Sequence, residues 1–312
     1  MNNNCHLIVD SCCDLPFELV DRDDVSLVGF PYLFGSDEQR DDLWQSSNPK
    51  EFYERMRKGE QPTTSQAAIS ELTERFVEAA ERGIPTVYLC FSSGLSASYD
   101  RACLVADQVR AEYPGFELHI VDTHLASTGE ALIVFEGLRQ LDRGLSASEL
   151  AEWALEAQNF VNVYFMVEDL DCLHRGGRIP ASVAVMGSKL DVKPVLMIAA
   201  DGTLTLKGVA RGRKKGLRQL AQLYADMGDK PYTQAYLTIG NADCEKDMKR
   251  LEDIIKKESM KEQREPIFVE STIGPVIGSH VGPGMIALAF WGPDRRDKIS
   301  MADRIARKVK GN

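Results

Sequence analysis

The sequence lacks any apolar stretch long enough to cross a membrane. Its longest apolar run lies near Met285–Trp291, and a transmembrane helix needs about 20 such residues. Residues 1–6 also lack the basic and apolar segments of a secretory signal peptide. We therefore expect a cytoplasmic protein with no membrane span, for which transient contact with a membrane surface stays open.

Paired cysteines are also missing. The seven cysteines are an odd number, they are scattered, and none of them form a C-x-x-C pair. This pattern argues against a disulfide framework and a structural zinc site, and it is typical of reduced thiols in the cytosol. A chain of 312 residues needs neither, because it can bury a large apolar core. We expect no cofactor.

Positive charge is in deficit. The 37 Lys and Arg residues stand against 47 Asp and Glu residues, which gives a formal net charge of −10. Because nucleic-acid binding depends on cationic surfaces, the composition argues against a nucleic-acid partner. An exception is Leu206–Arg218, with six cations and no acid. This run would be either a solvated helix face or a surface for an acidic partner or a phosphate-bearing ligand.

The serine-rich segment Ser92–Tyr99 lacks the motifs of two common enzyme classes. It has neither glycine-rich phosphate-binding pattern, and it has no Gly-x-Ser-x-Gly nucleophile elbow. Two enzymatic alternatives nevertheless stay open on an α/β scaffold. One is a phosphosugar or nucleotide enzyme, and the other is a Ser-His hydrolase that uses Ser93 and His280.

Short apolar strands alternate with amphipathic helices in the first half of the chain. The runs His6–Val9, Thr86–Phe91 and Glu117–Val121 end at turn residues, and the last two lead into helical patterns. This order predicts an α/β domain over residues 1–160 with a mostly parallel, doubly wound sheet. The polar segment Asp37–Asn48 is predicted to be a surface excursion.

The second half favours antiparallel strands. Val192–Ala199 and Thr203–Val209 flank Asp201-Gly202, a strong hairpin signal. Further strands alternate with helices, the last of which is expected at Lys298–Lys310. We predict an α+β domain over residues 161–312.

Two hydroxyl-rich segments precede helical patterns. The first is Thr63–Gln66, which contains Thr64 and Ser65, and the second begins with Ser92-Ser93-Gly94. A hydroxyl at such a position either caps the helix or, with the free amides of its first turn, holds an anion. Both alternatives stay open from the residues alone.

Two further segments carry basic side chains beside glycine. The glycine-rich loop Ile273–Gly284 brackets His280, whose imidazole would be either a packed residue or a partner for a carboxylate. Arg175 and Arg178 flank Gly176-Gly177. They would bind a carboxylate or phosphate, or pair with the acids at 168, 169 and 171.

Taken in this order, the motifs resemble those of the DegV family of fatty-acid-binding proteins. The resemblance extends along nearly the whole chain. The segments that carry it are Val9-Asp10-Ser11 with Asp14-Leu15-Pro16, Thr63–Gln66, Ser92–Ser96, Val121-Asp122-Thr123, Arg175–Ile179, Lys193–Leu196, Asp201-Gly202 and Gly274–Gly284.

The resemblance implies a two-domain protein that holds a long-chain fatty acid, such as palmitate, in a tunnel between its domains. By position in the motifs, Thr64 and Ser93 would hold the carboxylate, with His280 beside it. From the segments above, the further ligand-binding candidates are Ser65, Ser92, Gly94 and Arg178. Candidates for the tunnel wall are Phe30, Phe34, Phe165, Met166, Met186 and Ile277.

The resemblance also implies a partner. Some members of the family are the non-catalytic, acyl-carrying subunit of a bacterial fatty acid kinase, whose separate kinase subunit uses ATP to convert the bound carboxylate into an acyl phosphate. Arg211 matches the region implicated in docking that kinase, and Lys214 and Lys215 follow it in the basic run.

Overall fold

The computed structural model describes residues 5–184, 191–228, 234–263 and 265–296. The helix predicted over Lys298–Lys310 and the candidate wall residue Met186 lie outside these ranges. The strands, in chain order, are β1 His6–Asp10, β2 Val25–Val28, β3 Pro31–Phe34, β4 Asp37–Arg40, β5 Thr63–Thr64, β6 Thr86–Cys90, β7 Leu118–Asp122, β8 Val161–Met166, β9 Val192–Ile198, β10 Leu204–Arg211, β11 Gln234–Asn241, β12 Glu265–Thr272 and β13 Ile286–Trp291.

The helices are named in the same way. They are α1 Phe17–Val20, α2 Pro49–Arg57, α3 Ile69–Arg82, α4 Ser98–Glu112, α5 Thr128–Asp142, α6 Ala147–Ala157, α7 Asp171–Arg175, α8 Ala181–Ala184, α9 Arg213–Met227, α10 Glu245–Lys261 and α11 Pro275–Val281. Within the described ranges, none of them is long and apolar enough to span a bilayer.

The first half of the chain builds a parallel sheet. Its four strands lie in the order β2-β1-β6-β7, and all three pairings are parallel. Every residue of β1 and β6 is buried, which is typical of central strands covered on both faces. The carboxyl ends of β1, β6 and β7 therefore meet at one edge of the sheet, as the alternation of strands and helices predicts.

The second half builds a mixed sheet of six strands. Their order is β10-β9-β8-β13-β11-β12, and the pairings are antiparallel except for β11 with β12. The predicted hairpin joins β9 to β10. Its turn is closed by a hydrogen bond from Ala199 N to Thr203 O of 2.8 Å, and Gly202 supplies a φ of +77°, which glycine adopts without steric cost.

Helix α5 connects the two sheets. It contacts β8, β11 and β13 of the mixed sheet, although it follows directly on β7 of the parallel sheet. The approach is close, because a Cβ at Gly129 would lie 2.4 Å from Val163 Cγ2. Both halves also contribute to the larger hydrophobic core. The division at residue 160 stays a prediction.

A small antiparallel sheet in the first half was not predicted. Its order is β4-β3-β5, and it includes part of the segment Asp37–Asn48 that we expected on the surface. That expectation is wrong for two residues, since Asp41 and Leu43 are buried. The Asp41 carboxylate accepts a hydrogen bond from Leu43 N at 3.1 Å. The buried acid therefore gives a hydrogen-bond acceptor to a backbone N–H of the turn.

The glycine-rich segment around His280 is also not a loop. It contains α11, which begins at Pro275 and ends before Gly282 at φ +75°. Proline at the first helical position and glycine just past the end are ordinary helix boundaries. Inside the helix, the Ser279 hydroxyl donates to Pro275 O at 2.6 Å. The glycines that suggested a loop instead allow the helix to pack closely, as at Gly278, where a Cβ would lie 2.6 Å from the Tyr53 hydroxyl oxygen.

Candidate functional site

A cavity of about 380 Å³ lies at the carboxyl edge of the parallel sheet and extends towards the mixed sheet. Most of its lining is apolar and comes from both halves of the chain. The polar side chains of the lining that are used below are those of Thr64, Ser65, Ser96, Arg101, Ser127, Arg178 and His280. A largely apolar pocket with a few convergent polar groups is the usual form of a small-molecule site.

Thr64 and His280 are two of these polar residues, and a hydrogen bond joins them. Thr64 Oγ1 lies 2.8 Å from His280 Nε2, across 216 residues of sequence. Strand β5 fixes Thr64 by pairing it with Tyr32 in β3, and α11 carries His280. The sequence motifs therefore predicted two residues that the fold does bring together.

The His280 imidazole is neutral. Burial lowers its pKa to about 4, and the positive charges of Arg178 and Arg175 add to the shift. Its Nδ1 is buried and has no hydrogen-bond partner among the described residues, because Gly176 lies against it. Since buried N–H groups without a partner are rare, the proton is best placed on Nε2, where it donates to Thr64 Oγ1. The Thr64 hydroxyl proton is then available to an anion in the cavity.

The helix-capping alternative for Thr64 and Ser65 is wrong. Helix α3 begins at Ile69, and its N-cap residue, Ala68, makes no side-chain capping bond. Ser65 is exposed and donates its backbone N–H to Pro31 O at 3.3 Å. It therefore lies at the rim of the cavity, next to Thr64.

Ser92 and Gly94 contact the β9–β10 hairpin rather than the cavity. The Ser92 hydroxyl donates to Gly202 O at 3.0 Å, and a Cβ at Gly94 would lie 2.7 Å from Asp201 O. Ser93 is exposed, and its backbone N–H donates to Asp122 Oδ1 at 3.1 Å. None of the three is among the residues that line the cavity.

Ser96 is the serine of this segment that does line the cavity, and sequence reasoning missed it. Its Oγ lies 2.9 Å from Ser98 Oγ, and Ser98 in turn accepts a hydrogen bond from Ala67 N at 3.2 Å. The signal was present in the sequence, because Ser96 lies next to the start of α4. Serines 92, 93 and 96 are nevertheless equivalent as residue types, and only the path of the backbone distinguishes them.

Two arginines line the cavity. Arg178 donates from Nε to Leu95 O at 3.1 Å and also contacts Gly176 O, and burial lowers the pKa of its guanidinium. Arg178 makes no ion pair within the described ranges, so the alternative that it pairs with the acids at 168, 169 and 171 is wrong for this residue. Arg101 was not predicted, and it donates to Ala67 O at 2.8 Å. Both cations could accompany an anionic ligand.

Three of the five predicted wall candidates that lie in the described ranges line the cavity. Phe30, Phe165 and Ile277 do so. Phe34 instead packs against Phe52 with ring centroids 5.2 Å apart, and Met166 belongs to the smaller hydrophobic core under α9. Most apolar residues in a chain of this size belong to the hydrophobic core, so the residue type alone does not identify the residues of the cavity wall.

The basic run forms an exposed patch away from the cavity lining. Arg211 ends β10, and Lys214 and Lys215 lie in the first turn of α9; all three are exposed and make no ion pair within the described part of the chain. Arg213 differs, because it bridges Glu168 at 2.8 Å and Asp247 at 2.5 Å. We call Arg211, Lys214 and Lys215 the basic patch.

Comparison with known proteins gives one consistent result. Residues 4–292 match a family model described as an uncharacterised protein of the DegV family. A DegV domain-containing protein from Clostridium perfringens is 35% identical over 286 residues, which cover 92% of this chain and 97% of that protein.

Solved structures agree with the sequence match. A DegV family protein from Thermus thermophilus, described by its fatty acid binding, is 28% identical with a TM-score of 0.79, over 93% of this chain and 100% of that one. A protein from Eubacterium ventriosum, described as stearic-acid-binding, is 26% identical with a TM-score of 0.76, over 91% and 96% of the two chains. The likeness therefore extends over almost the whole described structure.

Proposed function

Because this chain belongs to the DegV family, we propose that it binds one long-chain fatty acid in the cavity, with the carboxylate at the Thr64–His280 end. The observation that carries the proposal is a largely apolar cavity whose lining includes several hydrogen-bond donors, two of which, Thr64 and His280, are in contact. Each methylene removed from water contributes about 0.8 kcal/mol, so an apolar chain would supply most of the affinity.

The carboxylate end needs donors, because a buried carboxylate without them would take up a proton. The Thr64 hydroxyl would donate directly, oriented by the neutral His280. Arg178 would supply the opposite charge, since it lines the same cavity. In this arrangement His280 acts mainly through Thr64, which agrees with its 2.8 Å contact to that residue.

A second hydroxyl group that would donate to the carboxylate belongs to a serine of the segment 92–98. Ser93 is the residue that the family motif names, whereas Ser96 is the one that lines the cavity. We propose Ser96, and the two serines form a matched pair for a test. Ser96→Ala should weaken fatty acid binding roughly 10-fold or more, the loss expected for a hydrogen bond to a charged group. Ser93→Ala should bind as the parent does, and the opposite result would return the role to Ser93.

The ligand class itself is tested by mass spectrometry of an organic extract. Protein purified without detergent should release about one long-chain fatty acid per chain. Delipidated protein should then show a rise in Tm when palmitate or oleate is added. An empty extract together with no thermal shift would contradict fatty acid binding and would favour the phosphosugar or nucleotide alternative, which added ATP would test.

The hydrolase alternative has little support in the geometry. It needs Ser93 to reach His280, but the described contacts of the His280 imidazole are to Thr64 and to Gly176. A fluorophosphonate probe should therefore leave Ser93 unmodified.

We further propose that the protein presents the bound acid to a separate kinase subunit. The basic patch supports this, because it is an exposed cationic surface on a chain of net charge −10. Lys214→Glu with Lys215→Glu should lower acyl phosphate formation by an added kinase subunit and ATP while sparing fatty acid binding. The exposed lysines Lys50 and Lys58, on the α2 side, provide a control with the same change of net charge. Equal effects of the two pairs would contradict a docking role for the patch.

A further inference from the structure

Two buried carboxyl groups flank the start of the helix that carries His280, and one of them is hydrogen-bonded to it. The backbone N–H of Gly274, which precedes α11, donates to Asp14 Oδ1 at 2.8 Å. A Cβ at Gly274 would lie 2.7 Å from Asp14 Oδ1 and 3.0 Å from Asp41 Oδ2. Both carboxylates therefore flank one point of the backbone, and both residues are almost fully buried, at 2% and 1% exposure.

Asp14 is also bonded to the wall of the cavity. Its Oδ2 accepts a hydrogen bond from the Ser127 hydroxyl at 2.5 Å, and Ser127 lines the cavity. One side chain thus connects three segments that are far apart in sequence, namely the end of β1, the start of α5 and the start of α11. No lysine, arginine or histidine of the described chain forms an ion pair with Asp14 or Asp41.

The backbone around these contacts is held in an unusual conformation. Asp14, Leu43 and Ser127 all have positive φ, at 53°, 59° and 51°. Non-glycine residues adopt this region at a cost and keep it only where the surroundings impose it, which happens most often at functional sites. Burial raises the pKa of Asp14 well above its usual range, and the neighbouring Asp41 adds to the shift.

The position of α11 determines the position of His280. A helix rises about 1.5 Å per residue, so His280 lies about 9 Å from Gly274 along a short, rigid segment. Near the other end of this segment, His280 makes its 2.8 Å contact with Thr64. A shift of the start of α11 would be transmitted to that contact, because packed helices move as units.

We propose that Asp14, flanked by Asp41, is a positioning residue for the carboxylate site, which holds the start of α11 and the cavity wall at Ser127 so that His280 stays against Thr64. The inference rests on the proposed function for its effect on binding, but not for its effect on His280. It gives the segment Asp10–Asp14, which the proposed site does not use, a physical role.

The test follows two signals in the same variants. One is fatty acid affinity, measured by displacement of a fluorescent fatty acid. The other is the side-chain NMR signal of His280, assigned among the five histidines by a His280→Gln variant. Asp14→Leu, which replaces both acceptor oxygens by methyl groups with the same branching, should lower affinity about tenfold or more. It should also let His280 titrate near the ordinary histidine value of about 6.5.

Two variants separate positioning from general damage to the core. Asp14→Asn keeps an oxygen that can accept from Gly274 N, so it should recover much of what Asp14→Leu loses. Glu130→Leu changes a neighbouring buried carboxyl group that makes no bond to α11 among the described residues, so it should alter the core without moving the His280 signal. Equal effects of Asp14→Leu and Glu130→Leu on that signal would overturn the proposal.

A second route covers the case in which Asp14→Leu does not fold. Gly274→Ala introduces a methyl group against the same two carboxylates, so it should move the His280 signal in the same direction. An unmoved signal in Gly274→Ala would also overturn the inference. If the parent protein binds no fatty acid, the proposed function fails, but the His280 signal still decides the positioning role.

Discussion

The substitution Thr64→Val tests the site most directly. Valine has nearly the shape of threonine and the same preference for strands, so β5 should keep its pairing with β3. The change removes the hydroxyl that contacts His280 at 2.8 Å and that would donate to the carboxylate. A hydrogen bond to a charged group contributes roughly 1.5–3 kcal/mol, which corresponds to a roughly 10- to 150-fold loss of affinity.

The assay is a titration of delipidated protein with a fluorescent fatty acid, followed by displacement with palmitate. Thr63→Val is the matched control, because Thr63 is exposed and neighbouring side chains of a strand point to opposite faces. It should bind within about twofold of the parent. Parental affinity in Thr64→Val would refute the assignment of the carboxylate to this end of the cavity, whatever the ligand proves to be.

Three further predictions follow from particular contacts. Gly176→Ala should displace the imidazole, since the new Cβ would lie 2.2 Å from His280 Nδ1, and the expected result is weaker fatty acid binding in a folded protein; unchanged affinity would contradict the packing. Ala287→Leu, in the buried cavity wall, should shorten the cavity and penalise long acids most, by roughly fourfold per excluded methylene; a loss equal across C12 to C18 acids would contradict it. Glu130→Gln should reduce the pH dependence of stability. Burial raises the pKa of Glu130 well above its ordinary 4.5, so the parent loses stability as pH rises above 4.5, because the unfolded chain releases its proton first. Urea unfolding from pH 4 to 8 should show the difference growing with pH, and parallel curves would contradict it.

Local patterns in the sequence predict much of the fold. The parallel strands at 6–10, 86–90 and 118–122 and the hairpin at Asp201-Gly202 all match the structure closely, because strand alternation and turn residues act over a few positions. The small sheet at 31–64 could not be predicted in this way. Strand β5 has only two residues, and it exists only through its pairing with β3, where Thr64 lies opposite Tyr32.

The candidate site shows the same limit. Thr64 and His280 could be named from their motifs, yet their contact spans 216 residues and depends on how both halves fold. The choice between Ser93 and Ser96 depends on the path of the backbone between β6 and α4, where the Ser92 hydroxyl is bonded to the hairpin from the other half. Arg101 carries no motif at all, and its role at the cavity follows only from the placement of α4 beside Ala67.

The distribution of these contacts also bears on stability. The cavity wall takes Thr64 and Ser96 from the first half of the chain, and His280 and Arg178 from the second. A ligand that fills it would add apolar contacts between the halves and give the partly buried donors Thr64 and Arg178 an acceptor. A ligand that binds only the folded state stabilises it by RT ln(1 + [L]/Kd), or about 2.7 kcal/mol at 100 times Kd. Without a ligand, the protein keeps a largely apolar cavity, which disfavours the folded state, and the partly buried Arg178 has no anion beside it among the described residues. If the site holds an amphipathic anion as we propose, that ligand would therefore supply part of the stability of the folded protein.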